Sequence, residues 1–232
     1  MEFETNFIYT ERKTKAQYIY LKYQPILVGN ILDVGADQCY LKEQLDNKVN
    51  YIGIGLSSDK LNLEIDLEKQ PLPYEDNLFD VVLCTDVLEH LDNIHEVFDE
   101  LCRVSKKYVI TSLPNPHSVF WNYVKHGNYN ENQHLKFYGL PVEKPDDRHK
   151  WFFSTEEAEN FVRYRANKNN MEIIQMDIEG NSPNKINFFK KIFLKILLGK
   201  NYNLFFDLIS NKNLYLGTLW AVLKKRGALN GE

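Results

Sequence analysis

This chain has little of what usually marks a specialised class. Its three cysteines, Cys39, Cys84 and Cys102, are too few and too irregularly spaced for a disulfide framework or a paired metal motif, so they read as reduced core thiols. No run of about eighteen apolar residues is present to span a bilayer. The first thirty residues are charged throughout (Glu2, Glu4, Glu11, Arg12, Lys13, Lys15) and contain no apolar signal stretch, so a cytoplasmic protein is expected. Positive charge is not in excess either. Lys and Arg number 28 against 32 Asp and Glu, a formal net charge of −4, which counts against nucleic acid as a partner. No internal repeat or low-complexity tract breaks the sequence, and 232 residues suit a single α/β domain over 1–232.

What is present is an alternation of short apolar strands and amphipathic helices. Thr10 to Gln24 reads as a helix with Ala16, Ile19, Tyr20 and Tyr23 on its inner face, stopped by Pro25. Strands follow at Ile31 to Val34, Tyr51 to Leu56, a short one ending near Asp66, and Asp80 to Thr85, with a helix around Tyr40 to Leu45. Ile94, Val97, Phe98, Leu101 and Val104 repeat at helical spacing behind Asp92 or Asn93 as N-cap, and Lys107 to Leu113 is a fifth strand closed by Pro114-Asn115-Pro116. Such βα alternation argues for a parallel sheet. From His117 to Trp151 the periodicity is lost, and 114–153 is expected to be a functional loop region. Ser154-Thr155-Glu156-Glu157 has the form of a capping box opening a helix that uses Ala158, Phe161, Val162 and Tyr164. Met171 to Ile178 is a sixth strand and Asn213 to Lys224 a seventh, with 180–212 inserted between them and a helix at Ile186 to Leu198.

Two segments carry the chemistry. Ile31-Leu32-Asp33-Val34-Gly35-Ala36-Asp37 and Phe79-Asp80-Val81-Val82-Leu83-Cys84-Thr85-Asp86-Val87-Leu88-Glu89-His90-Leu91 are buried strands running into loops, and ligands of open parallel sheets bind outside the carboxyl ends of strands. The pair resembles the first and fourth strands of the class I S-adenosylmethionine-dependent methyltransferases of the type 11 kind. In that family the first motif runs apolar-apolar-Asp-x-Gly-x-Gly-x-Gly and the fourth strand often ends in Asp-Val-Leu-Glu-His-Leu. The resemblance implies a Rossmann-like, seven-stranded, mostly parallel sheet with helices on both faces, and S-adenosyl-L-methionine as cofactor.

Carried over residue by residue, the resemblance makes Asp33 the acid that holds the loop and the donor's amino group, and Gly35 the point of close backbone approach. Ala36 and Asp37 complete that loop. Leu56 and Ser57 lie at the end of the second strand, Asp66 and Leu67 stand where the adenine amine is met, and Asp86 and Val87 lie beneath the donor. The sequence departs from the pattern in two places. The second and third glycines are Asp37 and Cys39, and the acid that usually grips the ribose hydroxyls is replaced by Gly55, leaving Ser57, Ser58 or Asp59 as substitutes.

Methyl transfer from a sulfonium is an in-line displacement governed by positioning, with a base needed for a poorly acidic hydroxyl. Histidines are available at His90, His117, His134 and His149, and His149 to Glu157 resembles an H-x-x-x-F-[ST]-x-x-E segment that brings a histidine over the acceptor in many of these enzymes. His149 and His90 are the expected catalytic residues. Asp86-x-x-Glu89-His90 is also similar to the metal motif of small-RNA 3′-end methyltransferases, so the use of a metal stays open. The expected reaction is O-methylation of a small-molecule, sugar or lipid-linked glycan acceptor. An RNA or protein methyltransferase and a non-catalytic binding or assembly protein are the alternatives. Finally, Lys185 to Leu198 forms a basic amphipathic pattern, with Ile186, Phe189, Ile192, Phe193, Ile196 and Leu197 on one face, compatible with peripheral membrane contact or with ordinary packing.

Overall fold

In the computed structural model, residues 2–126, 143, 148–180, 188–203, 206–207 and 211–228 are described. Their strands are β1 (Asn30–Val34), β2 (Asn50–Gly55), β3 (Leu63–Glu64), β4 (Phe79–Thr85), β5 (Ser105–Leu113), β6 (Met171–Ile178) and β7 (Leu219–Lys225). They form one sheet in the order β3-β2-β1-β4-β5-β7-β6. β1 to β5 pair in parallel, and β7 enters antiparallel between β5 and β6. This is the parallel arrangement that the alternating pattern predicts and the mostly parallel, seven-stranded sheet that the resemblance implies. The chain order reverses between β1 and β4, which leaves a crevice above their carboxyl ends.

The helices are α1 (Arg12–Tyr23), α2 (Ile94–Val104), α3 (Pro116–His126), α4 (Thr155–Lys168) and α5 (Phe188–Leu198). β4 shows why its run is continuously apolar: Val82 and Cys84 enter one core with α2 and α4, while Val81 and Leu83 enter the other with α1. A strand covered on both faces has no polar side to show. All five apolar positions named for α2 are buried. Asn93 precedes α2 without capping it, because its amide donates to the Leu67 carbonyl at 2.8 Å.

On α1 the inner face is wider than the spacing predicts, for Lys15, Tyr18 and Lys22 turn inward too and Tyr20 only partly. Burying Lys22 is tolerable because its ammonium meets Asp177 Oδ2 at 2.6 Å and lies 5.3 Å from the ring centroids of Tyr18 and Tyr23. Pairing and ring faces replace the lost water.

Four expectations need correction. Tyr40–Gln44 is a 3-10 turn rather than an α-helix. The segment after β5 is not all loop: Pro116–His126 is helical, started by Asn115 Oδ1 accepting from the His117 N–H at 3.0 Å, with proline at the first helical position where no N–H is needed. β7 begins at Leu219, not Asn213. Residue 213 spends its groups elsewhere, its side chain accepting from the Thr155 N–H at 3.0 Å and its carbonyl from Asn115 Nδ2 at 2.7 Å. Lastly, Tyr164 is exposed, and α4 buries Thr155, Ala158, Val162 and Ala166 instead. Its capping box is present, with Ser154 Oγ accepting from the Glu157 N–H at 3.2 Å and Glu157 Oε2 from the Ser154 N–H at 2.7 Å.

β6 runs parallel to β1 and β4, so the end of β6 and the start of β7 lie on the same edge as the crevice. Leu113 and Ile178 both face Leu219 there. The N-terminal segment is fastened to this region: Phe3 is buried, and its N–H and C=O both bond the Gln175 side chain at 2.7 Å. Among the described residues no helix is long and apolar enough to cross a membrane.

Candidate active site

The loop after β1 turns through the left-handed region three times, at Gly35 (φ 78), Asp37 (φ 49) and Cys39 (φ 54). Those are the three glycine positions of the first motif. At Gly35 the requirement is also steric, since a Cβ would lie 2.1 Å from Val87 Cγ2. The Gly35 and Ala36 N–H groups both donate to the Ile54 carbonyl, at 2.8 and 3.0 Å, which clamps the loop to β2. Side chains hold the two non-glycine positions in place. Asp37 pairs with Arg12 at 2.7 Å, and the Cys39 thiol donates to the Lys60 carbonyl at 3.3 Å while filling space left by Gly53, where a Cβ would stand 2.6 Å from Cys39 Sγ.

Asp33, last but one in β1, accepts the Tyr51 hydroxyl proton on Oδ2 at 2.7 Å. Burial pushes its carboxyl up to about 6, opposed by the Tyr51 hydrogen bond and the positive charge of Lys15. Lys15 reaches down from α1 to Asp86 Oδ2 at 2.5 Å and lies 5.2 Å from the Trp220 ring centroid. Asp86 is itself left-handed (φ 55). Its N–H donates to Ser112 Oγ at 3.0 Å and its Oδ1 accepts from that hydroxyl at 2.7 Å. The fold therefore gathers Asp33, Gly35, Ala36, Asp37, Asp86 and Val87 around one crevice.

At its far side, a Cβ on Gly55 would make only ordinary contacts, 3.5 Å to Leu61 Cδ1 and 3.7 Å to Gly35 Cα. The backbone there does not demand glycine. Leu56 and Ser57 are exposed just beyond. The Ile65 N–H donates to the Gly55 carbonyl at 2.7 Å, which sets Asp66 next to the end of β2. Lys69 at 2.7 Å and the Glu68 N–H hold the Asp66 carboxyl below its usual range. Leu67 turns into the core.

The other half of the site is assembled from distant sequence. A 3-10 turn over Leu88–His90 buries Glu89 and leaves His90 half-buried. Residues 149–151 are then pinned along it. The Lys150 N–H donates to the Glu89 carbonyl at 2.8 Å, Lys150 Nζ bridges Glu68 and Asp92 at 2.5 and 3.0 Å, and Trp151 Nε1 donates to the Leu91 carbonyl at 2.7 Å. This delivers His149, buried, to His90, with ring centroids 4.4 Å apart and edge-on. Glu89 Oε1 stands 3.7 Å from His90 Nε2 and 3.9 Å from His149 Nε2. One ligand atom from each of the three lies within 4.8 Å of the others. Asp86 is not a member of this group as the motif implied, because its carboxylate is turned to Lys15 and Ser112. His149 takes its place. His117 stands apart with its ring 4.4 Å from that of Phe152, and burial lowers its pKa. His134 and the segment Lys136 to Pro141 lie outside the described residues.

Sequence reasoning missed Lys15 and Tyr51. Lys15 carried one signal: it precedes Ile19 by four and Lys22 by seven, so it sits on the buried stripe of α1. Glu179 was missed as well. Tyr9 Oη and Trp220 Nε1 donate to its Oε1 at 2.7 and 2.6 Å, at the rim of a cleft of about 870 Å³ between the N-terminal segment, α1 and the end of β6.

Residues 32–110, which run from β1 into β5, match a family model described as a methyltransferase domain. No protein among those with curated functions matches the chain. Among solved structures, it is similar to an S-adenosylmethionine-dependent methyltransferase from Archaeoglobus fulgidus, at 16% identity over 93% of this chain and 95% of that one, TM-score 0.56. It is also similar to the small RNA methyltransferase HEN1, at 12% identity over 97% of this chain but only 27% of that one, TM-score 0.58. A third is a phosphoethanolamine N-methyltransferase from Haemonchus contortus in complex with S-adenosylhomocysteine, at 16% identity over 95% of this chain and 55% of that one, TM-score 0.51. Residues 32–110 thus match a methyltransferase domain, and the chain as a whole has the fold of class I S-adenosylmethionine-dependent methyltransferases.

Proposed function

We propose that the protein transfers the methyl group of S-adenosylmethionine to a hydroxyl oxygen of a small-molecule, sugar or lipid-linked glycan acceptor. The observation that carries this reading is the Glu89, His90 and His149 cluster, within 4.8 Å, one turn beyond Asp86. A hydroxyl acceptor needs its proton removed as the C–O bond forms. Imidazole next to a buried carboxylate is suited to that. In the step, the acceptor oxygen attacks the methyl carbon in line with sulfur, the C–S bond breaks, and S-adenosylhomocysteine leaves as a neutral thioether. The hydroxyl proton passes to a ring nitrogen of His149, with Glu89 stabilising the imidazolium. Asp33 supplies the charge for the donor's ammonium, and the left-handed loop at Gly35, Asp37 and Cys39 supplies the close backbone approach.

A second reading rests on the same cluster. Two imidazoles and a carboxylate converging on one point are a donor set for a borderline divalent ion, and such an ion would polarise the acceptor oxygen. His149 and His90 would then be ligands instead of bases. Titration with Co²⁺ separates the two: absorption bands that appear in the wild type and vanish in Glu89→Gln support the ion, and activity that persists in chelator removes it. The transfer itself is tested with methyl-labelled S-adenosylmethionine offered to cell-derived small-molecule, glycan and lipid fractions. Label that enters an alkali-stable ether in the wild type and not in His149→Ala supports the reading. Failure to bind S-adenosylhomocysteine at millimolar concentration overturns it.

A further inference from the structure

We infer that α5 docks on an anionic lipid surface and holds the reaction edge of the sheet against it. From Lys185 to Phe206 the chain carries Lys185, Lys190, Lys191, Lys195 and Lys200 and no acidic residue. The helix at the centre of this stretch is oriented the wrong way round for a helix of a water-soluble surface. Ile192, Phe193, Ile196 and Leu197 are 43, 65, 77 and 66% exposed, whereas Leu194 and Leu198, on the opposite side, are half-buried. At 3.6 residues per turn the four exposed residues form one contiguous outward stripe. Lys195 lies at its Ile192 edge and Lys191 on the opposite side, with its ammonium 5.0 Å from the Phe206 ring centroid, and both lysines are exposed.

An ordinary surface helix buries its apolar stripe and shows water its charges. Here the stripe faces outward, with the Lys195 ammonium at one edge and Lys191 on the opposite side of the helix. That is the arrangement with which a helix lies in a bilayer interface, its apolar residues below the headgroups and its lysines among lipid phosphates. The charge selects the occupant. A segment with five cations and no anion complements an anionic membrane, and in a second copy of the same segment it would meet its own charge.

The topology gives the contact a purpose. α5 belongs to the connection between β6 and β7, whose joined ends, Ile178 and Leu219, lie on the edge that carries Asp33, Asp86 and the histidine cluster. α3 leaves β5 at that edge too, with Val119 and Val124 exposed. Docking there presents the crevice to an acceptor whose lipid tail stays in the bilayer. This last step rests on the proposed methyl transfer; the docking does not.

The full-length protein is sedimented with vesicles of phosphatidylcholine alone and of phosphatidylcholine with phosphatidylglycerol, in the absence of donor and acceptor. Binding to the anionic vesicles is expected to exceed binding to the neutral ones by about tenfold or more and to fall as salt rises. Phe193→Asp/Ile196→Asp and Lys191→Glu/Lys195→Glu are each expected to lose it while melting temperature and S-adenosylhomocysteine affinity stay as in the wild type. Wild type that remains in the supernatant at low salt overturns the proposal, as does undiminished binding by either folded variant. A Phe193-dependent dimer in sedimentation velocity, without vesicle binding, assigns the stripe to a second copy and overturns it as well. Donor affinity is measured separately, so loss of the methyltransferase reading would leave this result standing.

Discussion

Donor binding is expected to depend on pH through Asp33, with a sign fixed by its surroundings. Its carboxyl is raised from 3.8 to about 6 by burial, so near neutral pH it is ionised and available to the ammonium of S-adenosylhomocysteine, and near pH 5 about nine-tenths of it is protonated. Affinity should be flat above about pH 7 and fall about tenfold, or roughly 1.4 kcal/mol, by about pH 5. The assay is calorimetry in two buffers of different ionisation heat: below the midpoint each bound ligand should release close to one proton. Stability runs the other way. A carboxyl whose folded pKa lies above the unfolded one favours the fold below the unfolded value, and that contribution is lost as pH rises through about 6. The shift of about two units corresponds to at most about 3 kcal/mol. Asp33→Asn keeps an acceptor for the Tyr51 hydroxyl and escapes the desolvation, so it should melt several degrees higher near pH 8, no higher near pH 4, and bind donor weakly at all pH. An affinity independent of pH in the wild type, or the same slope in Asp33→Asn, would refute the reasoning.

Four further outcomes are expected. His149→Ala should lower kcat by about a hundredfold or more with donor affinity unchanged, as for a residue acting on the acceptor; parallel loss of donor affinity would make it structural. Gly35→Ala should abolish donor binding and destabilise by several kcal/mol, because its methyl would collide with Val87 Cγ2 at 2.1 Å in a backbone that alanine avoids. Asp37→Gly, at another left-handed position, should be neutral or stabilising by up to about 1 kcal/mol in urea unfolding, since the pair it gives up with Arg12 is exposed. Gly55→Asp should fold normally, given the ordinary contacts of its Cβ, and tighten S-adenosylhomocysteine several-fold if a carboxylate there reaches the ribose; unchanged affinity would mean that the ribose is met elsewhere.

The centre of the sheet could be read from the sequence because β4 is buried on both faces, so its apolar run needs no partner to be recognised. β7 was read six residues too long because Leu214 and Leu216 continue the apolar pattern while their backbone belongs to a connection tied to Asn115. α3 was missed although its Asn115-Pro116 start was in view, because turn residues on either side masked it. On the donor side, motif residues adjacent in sequence remain adjacent in space. The histidine cluster joins residues sixty apart, and only the Lys150 and Trp151 anchors, invisible to any periodicity, bring them together. Lys15 and Tyr51 had no motif at all. Their roles arise from an ammonium and a hydroxyl that happen to face Asp86 and Asp33 across the crevice.

The three left-handed turns after β1 bear on how inactive members of such families are recognised. Enzymes are often sorted from pseudoenzymes by whether signature residues survive, and by that measure a loop with one glycine of three would be discarded. Here the backbone takes the left-handed path at two positions that are not glycine, with the Arg12 ion pair steadying Asp37 and a sulfur seated against Gly53 steadying Cys39. A substitution that keeps φ positive removes the letter and not the shape. For divergent chains of this kind the useful criterion is the dihedral sequence of the loop, and Gly53, a glycine outside the motif, is the residue whose loss would signal that the shape has gone.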